Sequence, residues 1–383
     1  MKIAIPKETR SGETRVATSP DMVKKLIQTG AQVVIETGAG DYCKITDAAF
    51  TEAGAFVAAD AKETYAGAEI VLKVRGPMTN EEGTDELALM DPGSILIGLL
   101  SPLQNRASIS TYAKFGLTTF SMELLPRISR AQSMDVLSSQ SNLAGYKAVI
   151  DAAEEFGKAF PMMMTAAGTI APAKVLILGA GVAGLQAIAT AKRLGAVVSA
   201  FDVRPAVKEQ VESLGAKFIE VTDPGGQDAE TTGGYAKEMS EDYKKQQSKL
   251  IHDTVKTQDI VITTALIPGR PAPELIPSYM VEDMKGGSII IDLAVEAGGN
   301  CPLSEIDKVV VKHGVTLVGH SNMPARIPVD SSALLARNLV NFLIPMIDTE
   351  SGKLSINWED EIISGTLTTR DGEVVHPMLK DKV

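Results

Sequence analysis

The chain has 383 residues, 44% hydrophobic and 22% charged, a globular composition that excludes a disordered chain and makes two domains the expectation. Lys+Arg number 37 against 48 Asp+Glu, so the net charge is −11 and the chain is a poor candidate for binding nucleic acid, which needs clustered cations. Cys43 and Cys301 make neither a disulfide framework nor a metal cluster; no metal is expected, and a reducing cytosolic compartment suits them.

At the N-terminus Lys7, Glu8 and Arg10 precede any long apolar run, so no signal peptide is expected. Residues 2–5, 32–35, 69–74, 94–98 and 117–122 read as strands, and 21–30 as a helix with Met22, Val23 and Leu26 on one face and Gly30 as its stop. This β-α-β rhythm argues for a parallel sheet covered on both faces. A polar, helical-looking stretch follows at 127–160. The longest uncharged runs, 159–173 and 175–191, are interrupted by Pro161 and Pro172 or by Gly179, Gly181 and Gly184. Both are shorter than the roughly 18 apolar residues of a bilayer span. The Met162-Met-Met164 triplet reads as adaptable core.

A second rhythm places strands at 174–178, 197–201, 217–221, 260–264, 288–293 and 316–319. Between the third and fourth, 222–237 is a glycine-rich loop, either plain surface or a mobile lid carrying Tyr235, and 237–256 reads as a charged helix. Residues 333–344 read as a helix, with possible strands at 354–358 and 373–376. A C-terminal piece this short cannot build its own core and should pack back on the N-terminal domain. The expected division is therefore a discontinuous α/β domain, 1–126 plus 327–383, and a Rossmann-like domain, 127–326.

The strongest motif is Lys174-Val-Leu-Ile-Leu-Gly179-Ala-Gly181-Val-Ala-Gly184, a G-x-G-x-x-G between an apolar strand and an apolar helix. That context makes it a dinucleotide fingerprint. Gly179 permits the tight turn, Gly181 lets a pyrophosphate approach the backbone, Gly184 allows close packing, and the helix N-terminus presents free N–H groups. The next strand ends at Asp202, where an acid accepts from a ribose 2′-OH and selects NAD; Arg204 is a contrary signal, because it can hold a 2′-phosphate. Upstream, Arg127, Arg130, Gln132, Asp135 and Ser138 fall within twelve residues. At helical spacing Gln132, Asp135 and Ser138 or Ser139 share a face, which is either a solvated face with caps or the polar wall of a cleft holding a ribose and a carboxamide. His252, His313, His320 and His376 are scattered and lack metal spacing.

These residues together are recognisable. The run Arg127-Ile-Ser-Arg-Ala-Gln-Ser-Met-Asp-Val-Leu-Ser, the Gly179–184 turn, Ile291-Asp-Leu-Ala-Val-Glu-Ala-Gly-Gly299 and the opening Lys2-Ile-Ala-Ile-Pro-Lys-Glu resemble the alanine dehydrogenase / NAD(P) transhydrogenase family over essentially the whole chain. The first run and Thr232-Gly-Gly-Tyr-Ala-Lys-Glu-Met239 look like the soluble NAD(H)-binding part of the proton-translocating transhydrogenase alpha subunit. The resemblance implies two Rossmann-like α/β domains with parallel sheets and NAD(H) in the cleft between them. It implies Arg127, Gln132, Asp135 and Ser138 as catalytic-site residues. It also implies coenzyme contacts from Ile128, Ser129, Ser133, Met134, Gly179, Ala180, Gly181, Val182, Ala183, Gly184, Asp202, Val203, Arg204, Gly234, Tyr235, Gln247, Ala265 and Leu266.

It further implies Si-Re-type hydride transfer to NADP(H) on a partner component, a transmembrane component that couples the transfer to proton translocation, and a homodimer attached peripherally to the cytoplasmic face of a membrane. Alanine dehydrogenases in the family carry a substrate lysine in Lys-Val-Lys-Glu-Pro, where this chain reads Lys73-Val-Arg75-Gly-Pro77, and a histidine near the end of the next strand, where it reads Ile97-Gly-Leu99-Leu-Ser101. Arg75 holds its proton and Leu99 has none to give. A soluble alanine dehydrogenase and a non-enzymatic NAD(H) sensor are the alternatives.

Overall fold

A computed structural model describes residues 1–221 and 240–380. Its strands in chain order are β1 (Lys2–Ile5), β2 (Gln32–Glu36), β3 (Phe56–Ala58), β4 (Ile70–Arg75), β5 (Ile95–Leu99) and β6 (Thr118–Ser121). Then come β7 (Met163–Thr165), β8 (Gly168–Ile170), β9 (Lys174–Leu178), β10 (Val197–Phe201), β11 (Lys217–Ile219), β12 (Ile260–Thr263), β13 (Ile289–Asp292), β14 (Val309–Lys312) and β15 (Val315–Val318). The last are β16 (Ile347–Asp348), β17 (Lys353–Leu354), β18 (Leu367–Arg370) and β19 (Glu373–Val374).

The chain divides into two compact units: Met1–Gln140 with the residues from Ala325 on, and Ser141–Pro324. In the first, the main sheet has the order β19-β18-β6-β5-β4-β1-β2-β3, and β16 and β17 pair apart from it. The six strands from β6 to β3 are parallel, and β18 and β19 add antiparallel. β4 reads Ile-Val-Leu-Lys-Val, buried throughout, the near-continuous apolar run that a strand covered on both faces requires. One face packs on Val23, Leu26, Leu335, Leu339 and Phe342, the other on Tyr65, Ile109 and Tyr112.

The C-terminal segment enters this unit through threonines. Thr368 Oγ1 donates to the Thr119 carbonyl at 3.1 Å and Thr369 Oγ1 to the Leu117 carbonyl at 2.7 Å. β18 lies outside the expected strands, and the one expected at 354–358 reduces to β17.

The second unit's sheet runs β11-β10-β9-β12-β13-β15-β14, parallel apart from the edge strand β14. Counting its parallel strands in chain order gives 3-2-1-4-5-6, the doubly wound order that binds dinucleotides where the order reverses, between β9 and β12. The parallel strands of the first unit have the same order, so two Rossmann-like α/β units are present. Among the described residues no helix is long and apolar enough to cross a membrane.

Two expectations change. Residues 127–140 pack in the first unit rather than with the dinucleotide fold, because Ala131 and Val136 enter the core beside Leu335, Ala336 and Leu339. The Met162–164 triplet is not core: it runs into the β7–β8 hairpin, with Met162, Met163 and Met164 exposed by 60%, 44% and 79%.

Candidate coenzyme site

β9 delivers the chain to Gly179, whose φ of +99° belongs to the left-handed side that glycine alone enters without strain. A Cβ there would also lie 2.5 Å from Thr264 Oγ1, and one on Gly184 would lie 1.9 Å from the Gly179 carbonyl oxygen. Strand, turn and helix Val182–Arg193 therefore meet at distances only glycine permits. Gly181 differs, since its missing Cβ faces open space with Arg204 Nη2, 3.9 Å away, as its nearest neighbour. Among the described residues no side chain caps the helix that starts at Val182. N–H groups at the positive end of a helix, beside a position without a Cβ, fit a pyrophosphate.

β10 ends at Phe201, and the next residue, Asp202, is 8% exposed. Its Oδ2 accepts from the Ala180 N–H at 2.7 Å and from Arg204 Nη2 at 2.8 Å. Its Oδ1 accepts from the Arg204 backbone N–H and Nε, both at 2.9 Å. The carboxylate thus ties the glycine turn to the end of β10 and holds a guanidinium beside it. The two conflicting sequence signals, acid for NAD and arginine for a 2′-phosphate, are one ion pair in the fold. Val203, half-buried, packs against the core beside it.

β12 supplies the third wall. Thr264 Oγ1 donates to the Gly179 carbonyl at 2.9 Å, and Leu266 beyond it is 49% exposed. Ala265 is held at both backbone groups by Asn300: its N–H donates to Asn300 Oδ1 at 3.1 Å, and Asn300 Nδ2 donates to its carbonyl at 2.9 Å. Asn300 is in turn fixed by buried Asp292, which also accepts from Thr263 Oγ1 and the Ala294 and Cys301 N–H groups. Sequence reasoning missed Asn300 as a supporting residue, although it directly follows the recognised Asp292 run. The turn, Asp202, Arg204, Ala265 and Leu266 thus gather at the carboxyl ends of β9, β10 and β12, where doubly wound sheets bind ligands. Gln247 sits half-buried on helix Glu241–Val255. Gly234 and Tyr235 lie outside the described residues.

The polar strip belongs to the first unit and is not one helix. Ser129–Met134 is a 3₁₀ turn, Asp135 is extended (ψ 94°), and an α-helix covers Val136–Glu155. Gln132, Asp135 and Ser138 therefore do not share an α-helical face. Asp135 caps the new helix instead, Oδ1 accepting from the Ser138 N–H at 2.9 Å and Oδ2 from Ser138 Oγ at 2.5 Å. Arg127, Ser129, Gln132 and Ser133 are exposed, and Ile128, Met134, Asp135 and Ser138 half-buried.

Comparison with known families breaks the chain near the same first boundary but keeps the C-terminal segment with the second part. Residues 4–144 match the model described as alanine dehydrogenase/PNT, N-terminal domain, and residues 148–377 the C-terminal domain of the same family. The chain belongs to the alanine dehydrogenase/PNT family. Within it, the chain is similar to a protein of Rhodospirillum rubrum named as the first part of NAD(P) transhydrogenase subunit alpha, 61% identical over 99% of each chain. It is also similar to the solved transhydrogenase of Sinorhizobium meliloti, with 50% identity, 98% and 100% coverage and a TM-score of 0.88. A solved L-alanine dehydrogenase is further away, 27% identical over 99% and 98% with a TM-score of 0.79.

Set in this family, the positions where alanine dehydrogenases carry their lysine and histidine become informative. β4 and β5 pair so that Arg75 stands opposite Leu99. The two departures are neighbours, one a permanent cation and the other inert. Two residues further into β4, Lys73 is 1% exposed and locked between Glu86, at 2.8 Å, and Glu8, at 3.2 Å. Burial alone would lower the Lys73 pKa, but the two carboxylates outweigh it and raise it, so this ammonium does not give up its proton readily.

Proposed function

We propose that this chain is the NAD(H)-binding component of a proton-translocating NAD(P) transhydrogenase, passing hydride of the Si-Re type to NADP+ on a partner component. The observation that carries the reading is the pairing of Arg75 with Leu99, in a chain that also carries a dinucleotide cradle at Gly179–184. Reductive amination needs a positioned acid and base to move protons on nitrogen and oxygen. Hydride exchange between two nicotinamides moves no proton at the reacting carbons; it needs two rings held about 3–3.5 Å apart with water excluded. Side chains that orient and cannot titrate suit the second reaction.

In this reading the Gly179–184 turn holds the pyrophosphate, Asp202 accepts from the adenosine ribose, and Ala265 and Leu266 border the adenosine. Arg127, Gln132, Asp135 and Ser138 orient the ribose and carboxamide at the nicotinamide end, with Ile128, Ser129, Ser133 and Met134 flanking them. Bound NADH supplies the hydride. The relative's name, that of one portion of a subunit alpha, supports a chain that works within a larger assembly. We assign it NADP(H)-binding and transmembrane partners, a homodimeric state and a peripheral place on the cytoplasmic face of a membrane.

The test mixes the full chain with the NADP(H)-binding component of a transhydrogenase and follows hydride exchange between NADH and NADP+, with alanine plus NAD+ given to the chain alone. Exchange without alanine turnover supports the proposal. Robust alanine turnover would replace it with an amino-acid dehydrogenase, and tight NADH binding without exchange would replace it with a sensor.

A further inference from the structure

The strip that carries Gln132, Asp135 and Ser138 changes backbone conformation twice within seven residues. Its 3₁₀ turn covers 6 residues, longer than such turns usually sustain by their own hydrogen bonds. Something outside the strip must hold it in shape. Helix Pro328–Leu343, about two hundred residues later, presents Asn338 to it, 7% exposed beside Leu335 and Phe342. Asn338 Nδ2 donates to the Ser133 carbonyl at 2.9 Å, and its Oδ1 accepts from Ser139 Oγ at 2.8 Å. One side chain therefore grips the strip on both sides of the Asp135 break. Asn341, a turn further along, donates to the same Ser133 carbonyl at 3.1 Å. Beyond Ser139 the grip continues: Gln140 donates to the Ser331 carbonyl at 3.1 Å and accepts from Arg15 Nη1 at 2.8 Å.

We propose that Asn338 is a positioning residue for hydride transfer, clamping the 133–139 strip so that Gln132, Asp135 and Ser138 meet the nicotinamide end of NADH in register. The proposal rests on the functional reading above. The residue type follows from the chemistry, since the clamp needs a donor and an acceptor on one short side chain. Aspartate lacks the donor, and leucine, which such burial would otherwise favour, lacks both. A polar side chain in such a place costs stability unless both of its groups are used. Asn338 bonds the Ser133 backbone and the Ser139 hydroxyl, so its effect on the reaction passes through the strip.

The test uses Asn338→Asp, Asn338→Ala and Asn341→Ala in the full chain, with Gln132→Asn alongside. Three quantities are measured: single-turnover hydride transfer with the NADP(H)-binding partner, the NADH Kd by fluorescence, and the urea midpoint. Asn338→Asp, nearly isosteric and still able to accept from Ser139, should slow transfer about ten- to hundredfold, because a displacement near 1 Å costs that much. The NADH Kd should move by less than about threefold, most of the affinity residing on the phosphate turn. Asn341→Ala, which removes the second donor alone, should lose less than Asn338→Asp. Wild-type transfer in Asn338→Asp, or a loss of transfer matched by an equal loss of NADH affinity, overturns the proposal. If Gln132→Asn is slow while Asn338→Asp is not, the clamp fails and the functional reading stands; if neither is slow, the reading of the strip fails as well. Should Asn338→Ala not fold, the other two variants decide.

Discussion

Single residues here carry loads that their types alone do not announce. Lys73, Glu8 and Glu86 place two carboxylates around one ammonium inside the first unit, with the Val74 and Met78 N–H groups donating to Glu8 at 2.7 Å and Glu86 at 2.6 Å. Burial pushes the Glu8 carboxyl up, Lys73 offsets this in part, and Glu86 adds to it. A carboxyl raised in the folded state contributes stability that is complete below its unfolded value and is lost as pH climbs through the raised one. Glu8→Gln removes that titration. Its stability relative to wild type should therefore rise as pH climbs above 4.5, and urea midpoints that stay parallel with pH would remove Glu8 from the balance. Asp202 makes the second residue-scale case. Removing a charged acceptor costs about 1.5–3 kcal/mol, which is about ten- to hundredfold in Kd. Asp202→Ala should weaken NADH by that amount, release Arg204 and narrow the preference over NADPH. Fluorescence titration with both coenzymes checks this, and unchanged selectivity would count against the ribose role.

Elements meet at points where a methyl group does not fit. Gly145, inside helix Val136–Glu155, has no visible sequence reason to be glycine. A Cβ there would lie 2.0 Å from the Ala183 carbonyl oxygen and 2.8 Å from its carbonyl carbon. The helix therefore presses on the first turn of helix Val182–Arg193, the one we assign to the pyrophosphate. Overpacking of this kind costs about 1–3 kcal/mol. Gly145→Ala should lower the urea midpoint accordingly and weaken NADH binding by shifting that turn; a stable variant with intact NADH affinity would mean the two helices separate freely. The Asp135 break shows the limit of periodicity at this scale. The spacing of Gln132, Asp135 and Ser138 fits a helix, but an aspartate that can accept the Ser138 N–H starts a helix at least as well as it continues one.

At the scale of the whole molecule, one doubly wound plan occurs twice, and a 4-residue threonine-rich strand, β18, recruits the C-terminal segment to the first sheet. Ligand linkage provides the test at this scale. NADH at about 100 times its Kd should stabilise the full chain by about 2.7 kcal/mol, and NADPH at the same concentration by far less. Equal stabilisation by both would contradict an NAD site at Asp202. The parallel strands other than the 3-residue edge strand β3 were legible because strands covered on both faces are written as unbroken apolar runs, as in β4 and β9. β7, β8, β14 and β18 were not, because short antiparallel strands take their identity from the partner they pair with.

The sequence by itself determined the two β-α rhythms, the coenzyme turn and the family, since each is written in contiguous residues whose spacing reflects a local backbone need. Only the tertiary structure decided that Arg75 faces Leu99, that Asp202 is already paired with Arg204, and that Asn338 reaches Ser133 and Ser139. Those partners lie on different strands or far apart in the chain, or join through hydrogen bonds whose geometry no periodicity encodes.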